Sequence, residues 1–574
     1  MAKSWKVRSP DKKQIEELSR SAGISRLLAW LLLNRGITTA EQARKFLNPK
    51  LEDMLAEIDA PAGGAQFAAA ASLLAQAVSS KKKFGIHGDY DVDGITATAL
   101  VKDFFNALGL PIFHYLPHRL EDGYGLSESG VQELAEKGVN FLIAVDCGIS
   151  DRDAVQKAKD LGMQVLVIDH HRPPREIPPA DLIIDPHLND ADSSLKDLCS
   201  AGLVFFLLLV LRRLLREQGF FQKTPEPNLK RSLDLVALGT VADVSPATGL
   251  NRVLLTHGLK EVAETSRFGL RVLKKRAGCD EREIGYGQVA FLLAPRLNAA
   301  GRIDEPDPGF ELLVTSDAKQ ANQLADELEK RNSLRQQLEE KIMEVAVRQV
   351  ESAPDFQKRK SIVAFGKDWH PGVLGIVAQR LREKYFRPAL AISLSESMGR
   401  GSGRSVNGLD LYQALFRCRE FLVEFGGHRL AAGLSLKQEN LELFRQAFEK
   451  AVQELAEKDA FEQVLVCDAE LPLFMVSSEL ADELDKLKPF GPQNYEPLLW
   501  AKSVLVLDCQ LKKEKHLWLL LRERETTLQA MFFRAGIEPL KPGSLIDLAY
   551  TIERRTWNNK TELRLLIRDL KQLK

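Results

Sequence analysis

The sequence predicts an α/β protein in three folded parts: a parallel-sheet lobe, a second α/β lobe joined to it by a long helix, and a small C-terminal β-barrel. Three observations predict this. Short apolar runs at 83–86, 141–145, 165–168 and 182–184 end in polar clusters and alternate with helical periodicity, the pattern of a parallel sheet with crossover helices. Residues 317–352 lack Gly and Pro and place apolar residues at 321, 324, 328, 334, 338, 342, 345 and 350, which suits one long helix. From 461 onward, β-like runs at 464–467, 504–507, 517–521, 528–533, 545–550 and 563–567 are separated by turn residues, as in a small barrel.

Taken in order, residues 1–75 read as an N-terminal helical segment, amphipathic and Ala-rich. Residues 76–315 form the parallel-sheet lobe, and ligands of such sheets bind beyond the carboxyl ends of the strands, where the polar clusters lie. Residues 316–353 are the connector, with the stretch 317–352 as a helix of roughly 50 Å at about 1.5 Å per residue. Residues 354–460 begin a second α/β unit with a strand at 362–365, a helix at 373–384 and a strand at 389–393. Two Gly-rich segments, GRGSGRS (399–405) and FGGH (425–428), follow and read as loops. Residues 461–574 are the barrel.

The chain has 574 residues, with 79 Lys+Arg against 79 Asp+Glu. Zero net charge excludes a globally basic nucleic-acid protein but not a local basic face. Residues 501–574 carry 15 Lys+Arg and 9 Asp+Glu, a local excess of +6. The six cysteines form no CxxC pair, which excludes a zinc ribbon and points to a reducing cytosol. The most apolar run, 203–211, is broken by Arg212 and Arg213 and is far short of the roughly 20 residues a bilayer requires. The first residues lack the apolar stretch of a signal peptide. A cytoplasmic protein without membrane contact is expected.

The segment HGDYDVDG (87–94) places His87, Asp89, Asp91 and Asp93 on one turn at the end of the first strand. The next strand ends in VDCG, giving Asp146. The third ends in DHH, giving Asp169, His170 and His171, and LGTVADVSP supplies Asp243. A single Asp at a strand end is usually a helix cap or turn residue. This many carboxylates and imidazoles at one sheet edge would repel one another without a cation. The mixture suits Mn2+ or Mg2+, and paired ions are the usual device for in-line phosphoryl displacement.

At these residues the sequence resembles the DHH phosphoesterase superfamily, matching its four motifs in order. The resemblance implies that His87 and Asp91 hold one metal, that Asp93, His170 and Asp243 hold the other, and that Asp146 bridges them. It implies that Asp169 orients His170 from behind and that His171 stabilises the transferring phosphoryl group, with Asp89 in support. The catalytic set is thus His171, Asp146 and Asp89. The segments YLPHRLEDGYG (115–125), RLNAAGRI (296–303), GSGRS (401–405), GGHRLAAG (426–433) and PFGPQNYEP (489–497) resemble the RecJ family of bacterial single-strand DNA exonucleases. The likeness spans about residues 80–500, with an OB-like barrel behind it. PFGPQNYEP departs from the family's usual Gly-Asn-Pro there.

Glycines let backbone approach an anion, and arginine grips phosphate oxygens in pairs. Arg119, Arg302, Ser402, Arg404, Ser405 and His428 are therefore expected to bind phosphate or DNA. Trp518, Phe532, Phe533 and Trp557 are open either to base stacking or to the barrel core. By resemblance the chain degrades single-stranded DNA 5′→3′ to 5′-mononucleotides with two divalent ions, Mn2+ or Mg2+. A single-strand binding protein and a DNA helicase are its implied collaborators in recombination and repair. The rivals are a phosphodiesterase of short RNA or cyclic dinucleotides, and a non-catalytic scaffold that binds single strands. The long segment after GGH weighs against the first, and the intact ligand set against the second.

Overall fold

The apolar runs of the first lobe become strands β1 (Phe84–Gly88), β3 (Phe141–Val145), β4 (Gln164–Ile168) and β5 (Leu182–Ile184), as the computed structural model shows. It describes residues 4–58, 61–119, 122–123, 125–188, 194–279, 283–303, 307–557 and 560–573. A further strand, β2 (Ile112–Tyr115), completes the sheet at one edge. The order is β2-β1-β3-β4-β5, parallel throughout. β1 and β3 are buried along their whole length, which is why they read as unbroken apolar runs rather than alternating ones. Phe84 anchors the core, its ring 4.7 Å from Phe105 and 5.3 Å from Phe141. Helices α1 (Val92–Ala107), α2 (Ser200–Glu217) and α3 (Leu233–Ala242) pack on one another beside it.

The chain divides into two compact units. One holds residues 5–297, 309–325 and 466–574; the other holds 1–4, 298–308 and 326–465. In the first unit, the N-terminal helices Lys12–Ala22, Arg26–Leu33 and Ala40–Leu47 share one hydrophobic core with the barrel: Ile15, Leu18 and Leu28 pack in the same cluster as Leu499, Leu519 and Leu548. Trp5 Nε1 donates to Asp569 at 2.8 Å, and Ser25 Oγ to Glu483 at 2.6 Å. Arg252, on helix α4 (Gly249–Glu264), is buried, and its guanidinium donates to the carbonyls of Phe46, Lys486, Leu487 and Lys488. One cation thus ties the metal lobe to the helical segment and to the approach to the barrel. PFGPQNYEP is part of this clasp: Asn494 is buried, donates to Leu487 and Pro489, and accepts from Arg35 at 2.7 Å, while Pro492 accepts from Ala247 N.

Helix α5 (Ala318–Glu351) occupies the Gly- and Pro-free stretch. In the second unit Ile342, Ala346 and Val350 pack on Ile362, Val373 and Val377. That unit contains β6 (Ile362–Lys367), α6 (Pro371–Tyr385), β7 (Ala389–Leu394), β8 (Met398–Arg404), β9 (Leu422–Gly427) and β10 (Ala431–Lys437). The sheet order is β9-β10-β8-β7-β6. Both Gly-rich segments expected as loops are mostly strand. GRGSGR forms β8, paired on both sides, and FGG ends β9. The reason is period-two spacing: a Cβ on Gly401 or Gly403 would lie 2.9 Å from Ile392 or 2.5 Å from Leu390. The glycines let core side chains lie flush on one face while Arg400, Ser402 and Arg404 take the other.

The barrel closes through β11 (Leu499–Lys512), β12 (His516–Glu523), β13 (Thr526–Phe532), β14 (Leu545–Trp557) and β15 (Lys560–Gln572), with β11 pairing both β12 and β14. Its strands are longer than the apolar runs suggested, because exposed charged residues alternate along their outer faces. Among the described residues, no helix is long and apolar enough to cross a membrane.

Candidate metal centre

Parallel strands deliver their carboxyl ends to one edge. Asp89 and Asp91 follow β1, Asp146 follows β3, Asp169-His170-His171 follow β4 and Asp185 follows β5. Asp243 caps the end of α3. His170 Nε2 lies 3.3 Å from Asp146 Oδ1, 3.9 Å from Asp93 Oδ2 and 4.0 Å from Asp243 Oδ1. Asp89, Asp91 and Asp146 bring one oxygen each within 4.8 Å of one another, and Asp146, His170 and His171 do the same with their ligand atoms. Asp146 belongs to both groups.

The carboxylates are held in place. Asp91 caps α1, its Oδ1 accepting from Asp93 N at 2.9 Å and Gly94 N at 3.1 Å. The bland reading of an Asp at a strand end is thus true of one oxygen. Asp93 accepts from the first turn of α2: Ser200 N at 2.7 Å and Ala201 N at 3.0 Å. Ser200 Oγ donates to Asp146 Oδ1 at 2.9 Å, and Ser245 Oγ to Asp243 at 2.6 Å. Gly94 and Gly239 make the approach possible. A Cβ would lie 2.4 Å from the Asp89 carbonyl oxygen at the first and 2.7 Å from Asp93 Oδ1 at the second. Asp146 and Val244 both hold positive φ, 62° and 61°. Such strain in non-glycine residues clusters at functional sites.

Burial, then the neighbouring Asp91, pushes the Asp89 carboxyl well above its usual range. Burial followed by Asp93 does the same to Asp146 and raises Asp91. Asp243 is pushed up to about 6, chiefly by burial. Asp89 Oδ1 is buried with no hydrogen-bond partner. Mutually repelling carboxylates, an orphaned oxygen and an imidazole form the donor set of a hard divalent cation, so the residues present fit such an ion. Burial lowers the His171 imidazole, but the hydrogen bond and charge of Asp169 outweigh it and lift it to about 9.

Three residues of the expected site meet partners of their own in the fold. His87 accepts from Ser127 N at 3.3 Å through Nε2, and its Nδ1 lies 3.8 Å from Cys147 Sγ. Burial lowers it to about 4. Asp89 lies beside Asp91, with an oxygen of each within 4.8 Å of the other. Asp169 takes His171 rather than His170: its Oδ1 lies 2.7 Å from His171 Nδ1. Ser405 is buried and donates its hydroxyl to the Leu409 carbonyl at 3.0 Å. Ser200 and Asp185 carried no motif. Their only sequence signals are the start of an apolar helix and the end of the fourth apolar run.

Arg119 lies in the metal unit, its guanidinium 5.3 Å from the Tyr90 ring. Arg302, Ser402, Arg404 and His428 lie in the second unit. Arg404 Nη1 donates to Ser402 Oγ at 3.2 Å and to Gly403 O at 2.8 Å, and Arg302 Nη1 reaches the Gly372 carbonyl at 3.5 Å. His428 is exposed at the β9–β10 hairpin, its Nδ1 accepting from Leu430 N. Phe533 is half exposed, and the side chain of Trp557 lies outside the described residues.

A parallel sheet with aspartates and a His pair at its strand ends, followed by a second α/β unit, defines a DHH-type phosphoesterase. Three family models match accordingly: the DHH family N-terminal domain over 83–240, the DHHA1 domain over 358–454 and the RecJ OB domain over 467–569. The chain belongs to the RecJ family. It is 33% identical over 571 residues to the single-stranded-DNA-specific exonuclease RecJ of Bacillus subtilis (strain 168), covering 98% of this chain and 70% of the relative. It is 34% identical to the protein of the same name in Escherichia coli (strain K12), covering 92% and 90%. The crystal structure of RecJ in complex with Mn2+ from Thermus thermophilus superposes with a TM-score of 0.83 at 28% identity, covering all of this chain and 80% of the other.

Proposed function

We propose that this chain is a single-stranded-DNA-specific exonuclease that works 5′→3′ and releases 5′-mononucleotides. The observation that carries the reading is Asp146, which belongs to both candidate ligand groups. Asp89 and Asp91 would hold one divalent ion, Mn2+ or Mg2+, and Asp93, His170 and Asp243 the other, with Asp146 between. Such ions supply positive charge to the scissile phosphate and make water a nucleophile near neutral pH. His171, oriented by the 2.7 Å contact of its Nδ1 with Asp169, would turn its other ring nitrogen to the charge developing on the phosphate. Ser200 and the first turn of α2 fix Asp146 and Asp93 so that neither reorganises during the reaction. Arg302, Ser402, Arg404 and His428 bind the backbone and terminal phosphates.

On this reading, which family membership supports, the chain works in the cytoplasm. The reading gives the chain a single-strand binding protein and a DNA helicase as collaborators in recombination and repair. End-labelled single strands test the activity. A 5′ label should leave as a mononucleotide from the first turnover, only with Mn2+ or Mg2+ present. A 3′ label released first, or digestion in chelator, refutes it.

A further inference from the structure

Asp185 has no place in the reading above, yet its surroundings are unusual. It directly follows β5, beside the strand that ends in Asp169-His170-His171. Ile168 pairs with Ile184 across the two strands, and Asp169 N donates to the Ile184 carbonyl at 3.0 Å. Its side chain is fully buried. Oδ1 accepts from His187 N at 2.8 Å, while Oδ2 has no hydrogen-bond partner. Its carboxylate interacts electrostatically with both His170 and His171, and His187 lies close enough to feel His170 as well.

His171 has its carboxylate already, in Asp169. His170 turns Nε2 to Asp93, Asp146 and Asp243, which leaves Nδ1 as the nitrogen for a carboxylate outside that cluster. A metal-ligating histidine almost always donates its second ring N–H to a carboxylate, carbonyl or water, and that contact fixes tautomer and ring orientation. A buried carboxylate oxygen without a partner is costly and is retained where it has a task.

We infer that Asp185 is the positioning residue for His170: in the loaded centre its Oδ2 accepts the Nδ1–H, leaving the Nε2 lone pair for the metal. The inference rests on the metal centre proposed above. It assigns to Asp185 the task that the family resemblance implied for Asp169.

Mn2+ titration calorimetry on the full chain, with unfolding temperatures measured in chelator, tests it. In Asp185→Asn a single amide oxygen cannot both cap His187 and accept from His170. The variant should lose 10–100-fold in Mn2+ affinity, with an unfolding temperature in chelator equal to or above that of wild type, because a buried charge has gone. Asp185→Ala should show at least the same loss of affinity. An Mn2+ affinity within twofold of wild type in Asp185→Asn overturns the inference. So does a fall in the chelator unfolding temperature with affinity kept, which marks a turn residue only. A wild-type chain that binds no Mn2+ overturns the metal centre itself, and the inference with it.

Discussion

The backbone N–H of Ser200 donates to Asp93 Oδ2 at 2.7 Å while its hydroxyl donates to Asp146 Oδ1 at 2.9 Å. One residue at a helix N-terminus therefore braces two carboxylates of the centre, and the helix dipole favours their negative charge. Ser200→Ala keeps the backbone contact and loses the hydroxyl. A hydrogen bond to a charged group contributes about 1.5–3 kcal/mol. Cleavage at saturating Mn2+ should fall roughly 10–100-fold, as for loss of a group that orients a metal ligand. The unfolding temperature should move little. Wild-type kinetics in this variant would show that Asp146 needs no brace.

Asp146→Ala removes the residue shared by both ligand groups and no expected DNA contact. Cleavage should be lost while single-strand binding, measured in chelator by fluorescence anisotropy, stays within severalfold of wild type. Retention of more than about a tenth of the activity contradicts a shared ligand in a two-ion centre.

The centre was legible in the sequence because a parallel sheet gathers strand ends that sequence spacing already marks. What was not legible depended on facing or on distance along the chain. His87 carries the expected spacing, but it lies within β1 and meets Ser127 and Cys147. Asp169 adjoins both histidines in sequence, and only the fold shows which ring it takes. Ser200 lies 107 residues from Asp93, and Trp5 lies 564 from Asp569, so neither contact leaves a local pattern. The glycines of β8 were misread because a strand glycine that admits a neighbouring Leu looks, one residue at a time, like a turn.

The shared core changes how the barrel should be tested. Deleting residues 461–574 would expose Ile15, Leu18 and Leu28, so weaker binding would report unfolding. Lys512, Lys513 and Lys515, exposed at the β11–β12 turn, offer a cleaner test. If they neutralise phosphates, replacing all three with Gln should flatten the dependence of single-strand affinity on salt. The log–log slope should fall by about 2, at about 0.7 for each phosphate no longer neutralised. Thermal unfolding should be unchanged. An unaltered slope removes this turn from the DNA path.

Polarity is the sharpest test of the second unit. Arg404 and Ser402 share the face of β8 turned toward α6, and Gly375 on α6 leaves room for them. A Cβ there would lie 3.0 Å from Arg404 Nη2 and 3.3 Å from Ser402 Oγ. If this pair grips the 5′-terminal phosphate, binding energy there positions the scissile bond, and its loss reaches the chemical step as well as affinity. Arg404→Ala should then cost about 1.5–3 kcal/mol in kcat/KM on a 5′-phosphorylated strand. Much less should be lost on a 5′-hydroxyl strand, which has no phosphate to release. Arg404→Lys should recover only part, because an ammonium lacks the planar two-pronged contact. Gly375→Ala should mimic the loss by displacing the guanidinium while leaving the Mn2+ dependence of the reaction unchanged. The cycle of wild type and Arg404→Ala against the two strand ends isolates the coupling. Equal losses on both strands would mean that Arg404 serves the sheet or the downstream backbone, and that the terminal phosphate is read elsewhere.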